Sequence, residues 1–250
     1  MSQSTALVTN ALEFAGPPAV TALSDAGFRV VVHDRSFADA TALAGYRAAH
    51  PQVTALATQD PAQLVEQAWA VAGRLDVLVS NDAFPPVHVP VAQARLEDLR
   101  ATLDHLLVFP FALARAAIPR LIAQGEARVV MITSNRTRLQ QAGGAIPDMA
   151  RAGLNALVRS LSLELAPHGI PVNAIAPNFL YSETYYPRAR FIDDPAGRAY
   201  VRATVPAGRL ARPEEIGELI RYLATMQGSF LTGAIIDFSG GWPAGTPRPG

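Results

Sequence analysis

Seven short apolar runs alternate with stretches of helical periodicity along this chain, and that alternation limits the fold more than any other feature. The runs are 6–8, 28–32, 53–57, 75–79, 128–133, 171–176 and 234–238. Strands that alternate with helices run parallel, with the helices packed on both faces of the sheet. The near-continuous apolar character of 75–79 is that of a strand covered on both sides. We therefore expect an α/β fold with a single doubly wound parallel sheet of about seven strands, Rossmann-like in plan. No internal repeat or linker divides residues 1–250, so one domain is expected. In such a sheet the ligand lies beyond the carboxyl ends of the strands. The segments 9–16, 80–86, 134–151 and 177–187 are thus where chemistry belongs.

Helix signals agree with this plan. Pro17-Pro18 opens a helix reaching Ala26, and Asp60-Pro61-Ala62-Gln63 reads as an N-cap, a first-turn proline and a capping-box partner. Helical patterns also cover 96–124, 149–166 and 213–226, the last with Glu214 and Glu215 in its first turn. The helix 149–166 carries apolar residues on several faces, including Leu154, Leu157, Val158, Leu161 and Leu165. That suits burial against the sheet and a neighbouring subunit together, with Leu157 and Leu161 on the outward side.

Composition removes several classes of function. Half of the 250 residues are hydrophobic and 17% are charged, enough for a large core. Basic and acidic residues balance at 21 each, so a nucleic-acid or acidic-membrane surface is not expected. The absence of cysteine excludes disulfides, thiolate metal sites and cysteine nucleophiles together. His33, His50, His88, His105 and His168 have no metal-ligand spacing and read as surface or satisfied residues. The N-terminus lacks a basic start followed by an apolar run, and no apolar stretch approaches the ~20 residues of a membrane span. A soluble, cytoplasmic protein is the expectation.

The local motifs then narrow the family. Ser80-Asn81-Asp82-Ala83 stands where short-chain dehydrogenase/reductases have Asn-Asn-Ala-Gly, and Ser134 ends strand five where they carry a catalytic serine. Pro171 to Pro177, Gly208-Arg209-Leu210, Arg212 to Ile216, Leu231-Thr232-Gly233 and Gly240-Gly241-Trp242 follow in that family's order. The chain resembles the family from end to end. Within it, Thr9 to Phe14, Ser80-Asn81-Asp82, Pro177-Asn178-Phe179-Leu180 and Tyr186-Pro187 are most similar to halohydrin dehalogenases. Those enzymes use no nucleotide and hold a halide where the nicotinamide would lie. On that resemblance Phe14, Pro177, Leu180 and Tyr186 would line a vestigial pocket.

The family's phosphate-binding turn is Thr-Gly, three residues, then Gly-x-Gly, because the backbone must turn tightly and approach the pyrophosphate. Here it reads Thr9-Asn10, three residues, Phe14-Ala15-Gly16. Two glycines are lost and a ring is introduced, so no cofactor is expected. Asp34 sits where a ribose-binding acid would, but also reads as a solvated residue capping the turn Asp34-Arg35-Ser36. Asp60 reads as a helix cap.

The resemblance also implies a serine, a tyrosine and a cation one helical turn beyond the tyrosine, with the tyrosine as proton carrier. Ser134 and Arg151 occupy the outer two places, but the tyrosine position is Pro147, and no tyrosine lies between them. Asp148 is adjacent, and one residue along a helix turns a side chain ~100° away from the cation. Arg151 reads equally as a structural ion-pair or helix-surface residue, and Ser134 as a strand-end serine bonding nearby backbone. Tyr181, Tyr185 and Tyr186 follow strand six and would line or close the pocket.

Three functions stay open. The first is a non-catalytic subunit of a hetero-oligomeric (tetrameric) NAD-dependent hydroxyacyl-CoA-type dehydrogenase, paired with an intact paralogue. The chain resembles what the inactive subunit of the hydroxybenzylsuccinyl-CoA dehydrogenase of anaerobic toluene degradation should be. The proline-rich tail 242–249 would then reach across an interface. The second is a halohydrin-dehalogenase-like lyase with a displaced proton carrier. The third is a small-molecule-binding regulatory protein that uses the vacated cleft.

Overall fold

A computed structural model describes residues 3–244. Seven strands form one sheet: β1 (Thr5–Val8), β2 (Arg29–His33), β3 (Thr54–Leu56), β4 (Val77–Asn81), β5 (Arg128–Ile132), β6 (Val172–Pro177) and β7 (Ile235–Phe238). Their order is β3-β2-β1-β4-β5-β6-β7, and every pairing is parallel. The α/β class and doubly wound plan are as expected. Strand order reverses between β1 and β4, which opens a crevice at their carboxyl ends.

Both faces of the sheet are covered. Ala19 and Leu23 of α1 (Gly16–Asp25), Leu43 and Tyr46 of α2 (Ala40–Ala49), and Ile216 and Ile220 of α8 (Pro213–Thr225) pack on one face. Leu64 of α3 (Pro61–Ala72), Leu113 and Leu121 of α5 (Phe109–Gln124), and Leu154 and Val158 of α6 (Ala145–Leu165) pack on the other. The alanine- and glycine-rich α2 and the polar α7 (Pro195–Thr204) hide their helical period. Their starts are nevertheless marked: Asp39 accepts from the backbone N–H of Thr41 and Ala42, and Asp194 from that of Ala196. Asp60 caps α3 as its sequence indicates, accepting from Gln63 N at 2.8 Å.

Four expectations need correction. Helix α6 begins at Ala145, not near Met149, because Pro147 falls in its first turn, where a missing N–H costs no helical bond. Leu161 is buried in the core and Leu157 packs against it, so the outward apolar residues of α6 are Met149 and Leu163. Leu96–Gln124 runs as one continuous 29-residue helix, through α4 (Leu96–Leu103) and a π-helical turn at Asp104–Val108. By length and composition it is apolar enough to cross a membrane, because after Asp104 only Arg115 and Arg120 carry a charge. Its Leu113, Ala117 and Leu121 face the sheet instead. Finally, Trp242 packs against Phe179, Val201 and Val205 of its own chain rather than reaching outward; residues 245–250 lie outside the described residues.

Candidate functional site

Beyond the carboxyl ends of β5 and β6 lies a cavity of about 860 Å³. Phe14, Ser134, Pro147, Arg151, Pro177, Leu180 and Tyr186 all line it. They come from three of the segments at the carboxyl ends of the strands, 9–16, 134–151 and 177–187.

The glycine-poor loop keeps a glycine-type backbone. Asn10 and Phe14 stand at two of the family's glycine positions and have φ of 45° and 54°. Asparagine tolerates that left-handed conformation, whereas for phenylalanine it is strained by roughly 1–2 kcal/mol. Gly16 remains because a Cβ there would lie 2.3 Å from the Asn10 carbonyl oxygen. The loop's N–H groups serve the chain itself. Leu12 N donates to Asp34 Oδ2 at 3.0 Å, Ala15 N to Asn81 Oδ1 at 3.2 Å and Gly16 N to the Glu13 carbonyl at 2.8 Å. The Phe14 ring meets the Tyr185 ring edge-on at 4.9 Å.

Asp34 does cap its turn, but it is buried rather than solvated. Its Oδ1 accepts from both Ser36 N and Ser36 Oγ, while Oδ2 holds the loop. These residues do not fit a dinucleotide: the ribose acid is committed, the N–H groups of Leu12, Ala15 and Gly16 are used and the Phe14–Tyr185 contact obstructs the approach. Titrating the purified chain with NAD, NADH, NADP and NADPH should give no calorimetric signal. A Kd in the micromolar range for any of them would contradict this.

Arg151 is not on the surface. It is 5% exposed, and donates from Nη1 to the Ile132 carbonyl at 3.2 Å and from Nη2 to the Asp82 carbonyl at 3.0 Å. Nη2 also donates to the Tyr185 hydroxyl at 3.1 Å. That hydroxyl donates to the Phe84 carbonyl and accepts from Phe84 N, each at 3.1 Å. So Tyr185, on a different segment, brings a phenol to the family's cation. Ser134 caps a 3₁₀ turn, accepting from Arg136 N at 3.2 Å and donating to the Pro177 carbonyl at 3.4 Å. Asp148 turns away from Arg151, as its place on the helix indicates; it lines the cavity and pairs with Arg136 at 3.0 Å. Tyr186 donates to Asn178 Oδ1, and burial pushes its phenol well above the usual range.

A residue that sequence reasoning passed over anchors this wall. Asp82 is fully buried and accepts from Ser80 Oγ at 2.5 Å and Asn10 Nδ2 at 3.0 Å. Burial raises its carboxyl pKa to about 6 against the opposing pull of Ser80, Arg151 and Arg35. It replaces a family alanine, and its bond to Asn10 ties β4 to the altered loop. His33 also differs from a surface residue. It is fully buried, stacks on Phe109 at 5.3 Å and has a lowered pKa because of burial. Among the described residues, no three His, Asp or Glu side chains converge to hold a metal ion.

An enoyl-(acyl carrier protein) reductase family model matches residues 16–243. The chain belongs to the short-chain dehydrogenase/reductase family. It is 32% identical over 244 residues to the cis-4-hydroxycyclohexanecarboxylate dehydrogenase of Sinomonas cyclohexanicum, covering 96% of each chain. It is 30% identical over 239 residues to the 3-oxoacyl-(acyl-carrier-protein) reductase FabG of Escherichia coli, covering 94% of this chain and 96% of the other. Among solved structures, a halohydrin dehalogenase (HheC) bound to ethyl (2S)-oxiran-2-ylacetate is 36% identical. It superposes with a TM-score of 0.94 over 99% of this chain and 100% of the other.

Proposed function

We propose that this chain is a nucleotide-free family member serving as the non-catalytic subunit of a hetero-oligomeric, NAD-dependent hydroxyacyl-CoA-type dehydrogenase, with an intact paralogue as its partner. One observation carries the reading: the place that would move the proton is Pro147, in the same cavity wall as Ser134 and Arg151. Proline can neither give nor take a proton. The helix surfaces support it. Val108 and Phe111 are each 52% exposed, as is Met149, and Leu163 is 78% exposed. They lie on α6 and on the helix that packs beside it, and a subunit contact there would cover them. The oxidation of a hydroxybenzylsuccinyl-CoA in anaerobic toluene degradation, by a tetramer, is the setting the resemblance suggests.

Co-expression with the intact paralogue tests the proposal. The two chains should copurify, and Met149→Glu with Leu163→Glu should separate them and lower the partner's dehydrogenase activity by about tenfold or more. Ser134→Ala in this chain should leave that activity unchanged. A partner fully active and correctly assembled alone would end the subunit reading.

A second reading has its own observation, the Tyr185 hydroxyl 3.1 Å from Arg151 Nη2. A phenol held beside a guanidinium is the chemistry of a displaced proton carrier. In a dehalogenase-like reaction the Tyr185 phenolate would take the substrate's hydroxyl proton. The alkoxide would then displace the vicinal halide, giving an epoxide and a halide ion beside Phe14, Pro177 and Leu180. Halide release from a vicinal halohydrin by the purified chain, reduced about 100-fold or more by Tyr185→Phe, would put this reading first. No release leaves the subunit reading in place.

A further inference from the structure

The cavity holds more than the remnants of family chemistry. One wall is a cluster of five aromatic rings. Phe179 lies 5.1 Å from Tyr186, 6.3 Å from Tyr200 and 5.9 Å from Trp242, while Phe191 lies 5.1 Å from Tyr186. The pairs are tilted or edge-to-face, which leaves ring faces and edges available to another aromatic group. All five line the cavity.

Another part of the wall carries a positive charge with a free donor. Arg136 Nε donates to Asp148 Oδ1 at 3.0 Å, but its Nη2 is buried and has no hydrogen-bond partner among the described residues. A buried guanidinium N–H without an acceptor in the chain is satisfied by a water or by a ligand atom that displaces it. The backbone around it makes room. Gly144 has φ −92°, which any residue adopts, yet a Cβ there would sit 2.6 Å from Arg136 Nη2 and 2.9 Å from Asp148 Oδ2. A side chain there would displace the Arg136–Asp148 pair from its present position. Arg136 is also close enough to the aromatic wall for its charge to act on the Tyr186 hydroxyl.

We propose that the cavity binds a small aromatic carboxylic acid, its carboxylate on Arg136 Nη2 and its ring among Phe179, Tyr186 and Tyr200. A monoanion suits the site better than a phosphate. Nε is already committed to Asp148, whose carboxylate repels a dianion more strongly than a monoanion. The volume of about 860 Å³ lies within the range of small-molecule sites and leaves room for a ring with a short acyl chain. The inference requires no chemistry at Ser134, and it holds whether or not the chain pairs with a paralogue.

The test uses the full chain, with its partner where the two copurify, and 3-phenylpropionate, 3-phenylpropionamide and butyrate as probes. Binding is followed by calorimetry and by the fluorescence of Trp242; Trp69, on α3, gives a constant background. The acid should bind saturably, and the amide and butyrate about tenfold more weakly or worse, because each lacks one half of the recognition. Arg136→Gln should abolish the preference for acid over amide, and Tyr200→Ala should weaken both by about the same factor, several-fold. Equal affinity for acid and amide, or no saturable binding of the acid up to about 10 mM, would overturn the proposal. So would full affinity in a folded Arg136→Gln variant. If that variant does not fold, the acid–amide comparison on the unaltered chain decides alone.

Discussion

Replacing Arg151 with methionine is expected to destabilise the fold by about 3–5 kcal/mol, read as a fall in the urea midpoint at pH 7. The stem of the side chain is conserved by this change and the guanidinium is not. The carbonyls of Ile132 and Asp82 each lose a buried donor, at roughly 1–3 kcal/mol apiece. The Tyr185 hydroxyl loses one partner but keeps both groups of Phe84, so its share is smaller. Asp82 also loses the arginine charge that holds its pKa down, and should titrate still higher than about 6. A buried cation can sometimes be exchanged for apolar atoms without loss. Here the acceptors it serves would stay behind, fixed in the backbone of β5 and of the segment after β4. Arg151→Lys should recover only part of the stability, because one ammonium cannot span carbonyls that the guanidinium reaches from two nitrogens. A change below about 1 kcal/mol for the methionine variant would mean that water replaces the guanidinium freely.

This arginine also marks where sequence reading stops. The sheet was legible because its strands are apolar on both faces, and that character survives in composition alone. The loop after β1 was legible as altered, since Asn10 and Phe14 stand where glycines belong. That both would still adopt positive φ was not, because backbone conformation there is imposed by Asn81, Asp82 and Asp34 from distant segments. Arg151 stood at the family's cation position and read also as an ion-pair or helix-surface residue; only the fold brings Tyr185, 34 residues away, to its Nη2. Asp148 was placed away from Arg151 by helical angle. The angle was sound for Arg151, but Arg136 approaches from a different element and draws the carboxylate to the cavity. Leu161 and Leu163 show how little distinguishes core from surface on an apolar helix: two positions apart, one is 6% and the other 78% exposed. Asp82 was hidden for the opposite reason. An aspartate at a strand end reads as solvated, and nothing local indicates that Ser80 and Asn10 enclose it.

Asp82→Asn should therefore stabilise the protein at pH 8, by about 3 kcal/mol at most, taking roughly 1.4 kcal/mol per pKa unit. The carboxyl titrates near 6 in the folded chain against an ordinary value of 3.8. Between those values the folded state retains a proton that the unfolded state has released. Stability from this group is therefore complete below about pH 3.8, declines as pH rises, and is lost once pH passes about 6. An amide does not titrate, so the variant should keep above pH 6 what the native chain loses there. The surrounding bonds permit the exchange. The amide oxygen can accept from Asn10 Nδ2 as Oδ1 does now, and the amide nitrogen can donate to Ser80 Oγ, reversing the present direction. The two proteins should have nearly equal Tm at pH 4 and diverge by about 6–12 °C at most by pH 8, taking about 2–4 °C per kcal/mol for a chain of this size. If the variant is instead the less stable of the two at pH 8, the attraction of Arg151 and Arg35 for the carboxylate outweighs its burial. The Asp82 carboxylate would then stabilise the altered loop rather than weaken it.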